Sequence, residues 1–295
     1  MHRRRFLGTA AALAAVGTAP RGTAATALPP AESASPSLID TNVWLGHWPT
    51  RRAPFDSAAA LRTHLQTRGV SSAWISHFDA ALHTDIGAVN ARLAAACVQE
   101  GGGFFLPFGA LNPTLPDWEE DLRRCHELHR MPGIRLLPGY HGYTLDDPRF
   151  ARVLEQATAR RLVIQIALTM EDERSQNPVF VAAPTVAAPL APLVEKNPQA
   201  RVMVLNATSR LLAAANPLLR RLAKAGVQAE IATLEGAAGI ANVLAGAPDL
   251  SLCFGSHTPY FYFEAARLKL EESPLTPAQF TAIASGHAAA LLARV

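Results

Sequence analysis

"LIDTNVWL", residues 38–45, is the stretch on which the fold of this 295-residue chain turns. Its Leu, Ile, Val, Thr and Trp suit a pleated, buried strand, and too few polar residues interrupt it for a solvated face. Seven more short runs of the same kind follow: "SAWISHF" (72–78), "FFLPFGAL" (104–111), "GIRLLPGY" (133–140), "LVIQIAL" (162–168), "RVMVLNA" (201–207), "VQAEIATL" (227–234) and "DLSLCFGS" (249–256). Helical patterns separate most of them, over 85–100, 117–130, 148–160, 211–225 and 236–246. Apolar strands alternating with helices predict a parallel sheet covered on both faces. Eight such units predict an α/β fold, a single-domain (β/α)8 TIM barrel over 37–295. An open doubly wound sheet is the competing arrangement. It lacks support, because no glycine-rich phosphate turn follows the first strand.

The chain ahead of that strand reads as a leader. "MHRRRFLG" (1–8) sets arginines before Phe-Leu, an apolar run follows, and "ATA" (25–27) is a small-residue cleavage site. Residues 1–27 therefore read as an export signal resembling the twin-arginine type, and 28–36 as a disordered Pro/Ser/Ala linker. The apolar run is shorter than the roughly 20 residues that span a bilayer. A soluble periplasmic or secreted protein without stable membrane association is expected. The leader also carries the positive charge: removing Arg3, Arg4, Arg5 and Arg21 takes the formal +3 to −1. With no basic cluster left, nucleic acid is not an expected partner. Cys97, Cys125 and Cys253 are too far apart for a metal knuckle or a disulfide framework and read as core residues.

In such a barrel, reactive groups sit where strands end. That rule collects Asn42, Trp44 and His47 after strand one, His77 and Asp79 after strand two, Asn112 after strand three, and Tyr140 and His141 after strand four. It adds Gln165, Glu171, Asp172 and Arg174 at strand five, Asn206 at strand six, Glu235 after strand seven and His257 after strand eight. Arg135, Gln165 and Asn206 are the most informative, because polar groups in apolar strands are costly unless paired.

"LIDTNVWLG", "GIRLLP", "LVIQIAL", "VMVLNATS" and "LCFGSHTPYFY", in that order, resemble the amidohydrolase-related barrel family, with "IDTN" (39–42) and "FGSHTP" (254–259) the most specific parts. The family holds metal-dependent hydrolases and decarboxylases as well as lactonases. Its members typically open with Ile-Asp-x-His-x-His, and those two histidine positions fall here on Asn42 and Trp44. The family's strand-five histidine position falls on Gln165 or Ile166, its strand-six position on Asn206, and its closing aspartate on His257. Neutral amides are weak metal donors and an indole N–H is none. The resemblance therefore implies a divergent branch without a bound metal or other cofactor.

The expected activity is a metal-independent hydrolase acting on a small lactone, ester-like or carboxylate-bearing substrate. His257 would be the base, with Asp172 as the alternative. Asn42, Trp44, His47, Arg135, His141, Gln165, Arg174 and Asn206 would bind the substrate, Trp48 would help Trp44 stack a ring, and no residue would ligate a metal. Two alternatives remain. One is a non-catalytic periplasmic binding barrel that keeps the pocket. The other is a metal-dependent hydrolase or decarboxylase using a rearranged set such as His47, His77, His141 and His257. The low-charge segment "VFVAAPTVAAPLAPLV" (179–194) is a candidate homodimer surface.

Overall fold

The computed structural model describes residues 37–293 apart from Asp56, Glu173 and Ser175, so the expected leader and linker lie outside the described residues. Eight strands run in chain order: β1 (Leu38–Leu45), β2 (Val70–His77), β3 (Phe105–Leu111), β4 (Gly133–Leu136), β5 (Val163–Ala167), β6 (Arg201–Leu205), β7 (Gln228–Glu230) and β8 (Leu252–Cys253). Each pairs in parallel with the next. The circle closes where the Thr41 amide donates to the Phe254 carbonyl at 3.0 Å and the Trp44 amide to the Thr258 carbonyl at 2.9 Å. The chain is a (β/α)8 barrel, as the alternation of its runs predicts.

Three strands stop short of their apolar runs, for local reasons. β4 ends at Leu136 because Pro138 has no N–H for the ladder and instead opens a short helical turn. β7 and β8 pair over only two residues each, Ala229–Leu252 and Glu230–Cys253. Just past them the space is filled by the Glu230 carboxylate, and a Cβ on Gly255 would fall 2.6 Å from its Oε2.

The outer layer follows the capping chemistry of the sequence. Helix α1 (Ala58–Gln66) starts on Ser57, and α2 (Ile86–Gly101) on Asp85, whose carboxylate takes the Ala88 amide at 2.9 Å. α3 (Trp118–Arg123), the turn α4 (Pro138–His141) and α5 (Pro148–Ala159) follow, then α6 (Leu190–Lys196) and α7 (Pro217–Lys224). The helix expected from 211 begins only at Pro217, because Asn216 caps it and proline fits the first helical position. α8 (Gly239–Gly246), α9 (Phe263–Glu272), α10 (Pro277–Thr281) and α11 (His287–Ala293) complete the ring. Cys97, Cys125 and Cys253 are free and buried. Val179, Val181 and Val186, in the segment expected to form a subunit contact, are exposed. No helix among the described residues is long and apolar enough to cross a membrane.

Candidate functional site

At the C-terminal end of the barrel axis, the polar residues singled out by the sequence satisfy one another. The Trp44 indole can only donate, and its Nε1 lies 2.9 Å from Asn42 Oδ1, which fixes the orientation of that amide. Asn42 Nδ2 then donates to Asn206 Oδ1 at 2.8 Å. Asn206 Nδ2 donates to the Thr169 carbonyl at 2.8 Å and faces His257 Nδ1 at 3.3 Å. His257 Nε2 lies 2.8 Å from the Met170 carbonyl, a pure acceptor, so Nε2 carries the proton and Nδ1 receives the Asn206 hydrogen. In that tautomer the 3.5 Å approach of Nδ1 to Asn42 Oδ1 sets two acceptors side by side and is no hydrogen bond. Asn42, Trp44, Asn206 and His257 are wholly buried.

Two strained residues anchor this network. Asn206 and His257 hold φ of 50° and 58°, the left-handed region that few side chains adopt. Buried carboxylates beneath them hold the backbone there. Glu230 accepts the Asn206 and Ala232 amides at 2.5 Å each, and burial pushes its carboxyl up to about 7. Asp40 accepts the Asn42 amide at 3.1 Å, the Ser256 amide at 3.0 Å and the Ser256 hydroxyl at 2.5 Å, and burial raises it to about 6.

Arg135 fills the axis below. Its guanidinium donates to Gln165 Oε1 (2.8 Å) and to the carbonyls of Val43 (2.8 Å), Thr41 (3.2 Å) and Trp74 (3.0 Å), and its Cζ lies 4.6 Å from the centre of the Trp44 ring. Burial lowers its pKa to about 9. Gln165 spends its own Nε2 on the Thr41 carbonyl at 2.8 Å.

Aromatic rings close the top. Trp48 stacks on Phe78 at 4.6 Å, Tyr260 packs edge-on against both at 4.8 and 5.4 Å, and Phe261 stands 4.8 Å from His257.

This geometry corrects several expectations. Asn42, Trp44, Arg135, Gln165 and Asn206 do not line an open mouth; their polar groups are spent on the protein. Trp48 stacks on Phe78 rather than facing an open cavity. His257 is held neutral, its pKa pushed down to about 3, first by burial and also by the Arg135 charge. With both ring nitrogens engaged, it is poorly placed to take a proton. Asp172 pairs with Arg174 at the surface, where that hydrogen bond pulls its carboxyl down to about 2, and the Arg174 side chain is 85% exposed. His141 is turned toward the Ala80 carbonyl at 2.8 Å, and His47 is exposed. His77 serves as a cap, with Nδ1 taking the Asp79 amide at 3.2 Å. No three His, Cys, Asp or Glu side chains among the described residues are arranged to hold a metal ion.

The open space lies to one side. A cavity of about 1090 Å³ sits over the loops that follow β5 to β8, between Glu171, Thr208, Glu235, Phe261 and Lys269. Ser209 Oγ donates to Glu235 Oε2 at 3.1 Å along its wall, and Lys269 Nζ donates to the Ile231 and Ala232 carbonyls. In its lining the Glu171 side chain is 2% exposed: Oε2 accepts from Arg51 Nη2, and Oε1 has no hydrogen-bond partner among the described residues. Burial raises the Glu171 pKa and the Arg51 charge opposes that rise. Sequence reasoning collected Glu171 with the other strand-end residues but gave the catalytic role to its neighbour Asp172. Burial separates the two, and no local pattern encodes it. A second cavity, of about 540 Å³, lies on the other side of the segment 258–263.

No family model matches this chain, and no curated protein matches it. Its fold is shared with solved decarboxylase structures. Against 2,6-dihydroxybenzoate decarboxylase from Rhizobium the TM-score is 0.63 at 13% identity, over 87% of this chain and 98% of that one. Against 5-carboxyvanillate decarboxylase from Sphingomonas paucimobilis it is 0.65 at 14%, over 88% and 99%. Against a dihydroxybenzoic acid decarboxylase from a Polaromonas species, solved with bound manganese, it is 0.64 at 14%, over 87% and 97%. At such identities the likeness defines the barrel class alone. A divalent ion such as manganese would meet amides, an indole, a buried guanidinium and one imidazole at the axis here, which is a poor donor set for it.

Proposed function

We propose that this chain is a barrel enzyme of the hydrolase or decarboxylase kind, working without a metal at the barrel axis. It takes a small polar substrate, such as a lactone or ester, in the cleft over β5–β8, with Glu171 as its acid–base group. One observation carries this reading: Glu171, a buried carboxylate whose Oε1 has no hydrogen-bond partner among the described residues, is among the residues lining a large cavity at the catalytic end of a (β/α)8 barrel. Burial makes such a group a stronger proton acceptor than a surface carboxylate, and the Arg51 charge opposes that rise. In hydrolysis Glu171 would take a proton from the attacking water. The Lys269 ammonium, which lines the same cleft, would offset charge developing on the carbonyl oxygen. The twin-arginine-type leader supports action outside the cytoplasm.

The test is turnover of lactones, esters and hydroxybenzoates by purified protein, with and without EDTA. Activity should survive the chelator, and Glu171→Gln should lower kcat by at least about 100-fold with little change in KM. Loss of activity in EDTA with recovery on adding manganese or zinc overturns the metal-free reading, and an unchanged kcat in E171Q removes Glu171 from the reaction.

A second reading, a binding barrel, draws support from the engagement of both His257 and Asp172. It is the outcome if ligands bind the cleft and none is turned over.

A further inference from the structure

Glu171 is gripped at both ends. Its backbone follows Thr169 and Met170, whose carbonyls accept from Asn206 Nδ2 and His257 Nε2 at 2.8 Å each, and the Thr169 hydroxyl donates to the Glu171 carbonyl at 2.9 Å. Its carboxylate meets the loop after β1, where Arg51 Nη2 donates to Oε2. That guanidinium is itself held. The Arg51 amide donates to the Trp48 carbonyl at 3.2 Å, and Arg51 Cζ lies 5.4 Å from the centre of the Trp48 ring. Trp48 is buried and stacked on Phe78, so it gives the cation a fixed platform.

We infer that Arg51 is a positioning residue for the proposed reaction: its bond to Oε2 fixes the Glu171 carboxylate in one orientation and leaves Oε1 as the oxygen that takes the proton. The inference rests on Glu171 being the acid–base group of the cleft. A carboxylate bound at one oxygen by an anchored cation cannot turn without losing a charged hydrogen bond. The other oxygen, Oε1, has no partner among the described residues. Arg51 is also the charge that acts on this carboxyl, opposing the rise that burial imposes. The Tyr140 phenol of α4 is kept protonated by burial and by the Glu171 charge, so it adds no charge. Asp172 and Arg174 pair with each other, and His257 behind Met170 is neutral. Lys269, in the same lining, answers to Glu230, Glu235 and Glu272.

The experiment follows the Glu171 carboxyl of full-length protein by isotope-labelled NMR titration, its signal assigned by its loss in Glu171→Gln. Arg51→Gln removes the charge and keeps a donor, Arg51→Met removes both and serves if the amide variant does not fold, and Arg51→Lys keeps the charge. The neutral variants should raise the titration midpoint by about one pH unit, the low end for a nearby opposite charge because Arg51 is partly exposed. R51K should restore it. Where turnover is found, the acidic limb of kcat/KM should move up with the midpoint in the neutral variants. R51K should still lower kcat about tenfold, because an ammonium lacks the planar fork that fixes orientation. A midpoint unmoved in the neutral variants, or moved as far in R51K, overturns the inference, and an undiminished kcat in R51K overturns the orienting role. A midpoint that rises while the acidic limb stays in place instead removes Glu171 from the reaction, which separates failure of the enzymatic reading from failure of the pairing.

Discussion

At the barrel axis, Asn42, Trp44, Asn206 and His257 hand hydrogen bonds along a chain whose donors and acceptors all match, and Arg135 below them spends its guanidinium on four protein acceptors. A short way along the loop after β5, Glu171 lines a large cavity, and its buried Oε1 has no hydrogen-bond partner among the described residues. Both regions are built from the same strand ends. The axis shows what polar residues do when packing is complete: they become structure, held because any break strands a buried partner. The cleft shows the opposite state, a buried carboxyl group with hydrogen-bonding capacity left over among the described residues, which is the condition for acting on something else.

Substitutions can break this contrast, and the largest effect is expected at Arg135. Arg135→Ala removes the guanidinium donors from Gln165 Oε1 and from the Val43 and Trp74 carbonyls, while the Thr41 carbonyl keeps Gln165 Nε2, and should cost about 3–5 kcal/mol in urea unfolding. A loss under about 1 kcal/mol would mean that the axis is not held by this cation. Asn42→Ala strands the Trp44 indole and Asn206 Oδ1 and should cost about 2–4 kcal/mol by the same measurement.

His257 sharpens the contrast through pH. Its folded pKa, about 3, lies below its ordinary value of 6.5, so its contribution is complete above 6.5 and is lost as pH falls toward 3. The stability difference between the protein and His257→Gln should therefore shrink by about 1.4 kcal/mol per pH unit between 6.5 and 4. Asp40 and Glu230 act in the opposite sense, since their raised pKa values favour the folded state as pH falls through 7 and 6 toward 4. Taking the difference between variants removes their contribution. A difference that stays flat with pH would show that His257 titrates like a solvated ring. The smallest effect belongs to the surface: Asp172→Asn should leave the melting temperature unchanged, because its partner Arg174 is largely solvated.

Much of the barrel was legible in the order of its apolar runs. β1 and β5 fall where "LIDTNVWL" and "LVIQIAL" predict them, because a buried parallel strand needs continuous apolar residues. The short pairing of β7 and β8 was not legible, since it depends on the Glu230 carboxylate occupying the space beside Gly255. The site was legible in its composition and illegible in its state. Asn42, Gln165, Asn206 and His257 were marked as unusual, yet nothing in their spacing tells whether such groups face a ligand or each other. Asp172 and Glu171 are neighbours with opposite surroundings, one solvated beside Arg174, the other enclosed beside Arg51.

The amino-acid order by itself determined the alternation of strand and helix, the residues at the strand ends, and the amide and indole two residues apart on β1. These depend on side-chain type and period, which are properties of the chain. Tertiary structure alone decided that the axis is closed, that Glu171 rather than Asp172 is the enclosed carboxylate, and that Arg51 lies between two cavities. Each of these depends on groups far apart in the chain meeting at hydrogen-bond distance, and desolvation then sets which of them keep a proton, a charge or a free lone pair.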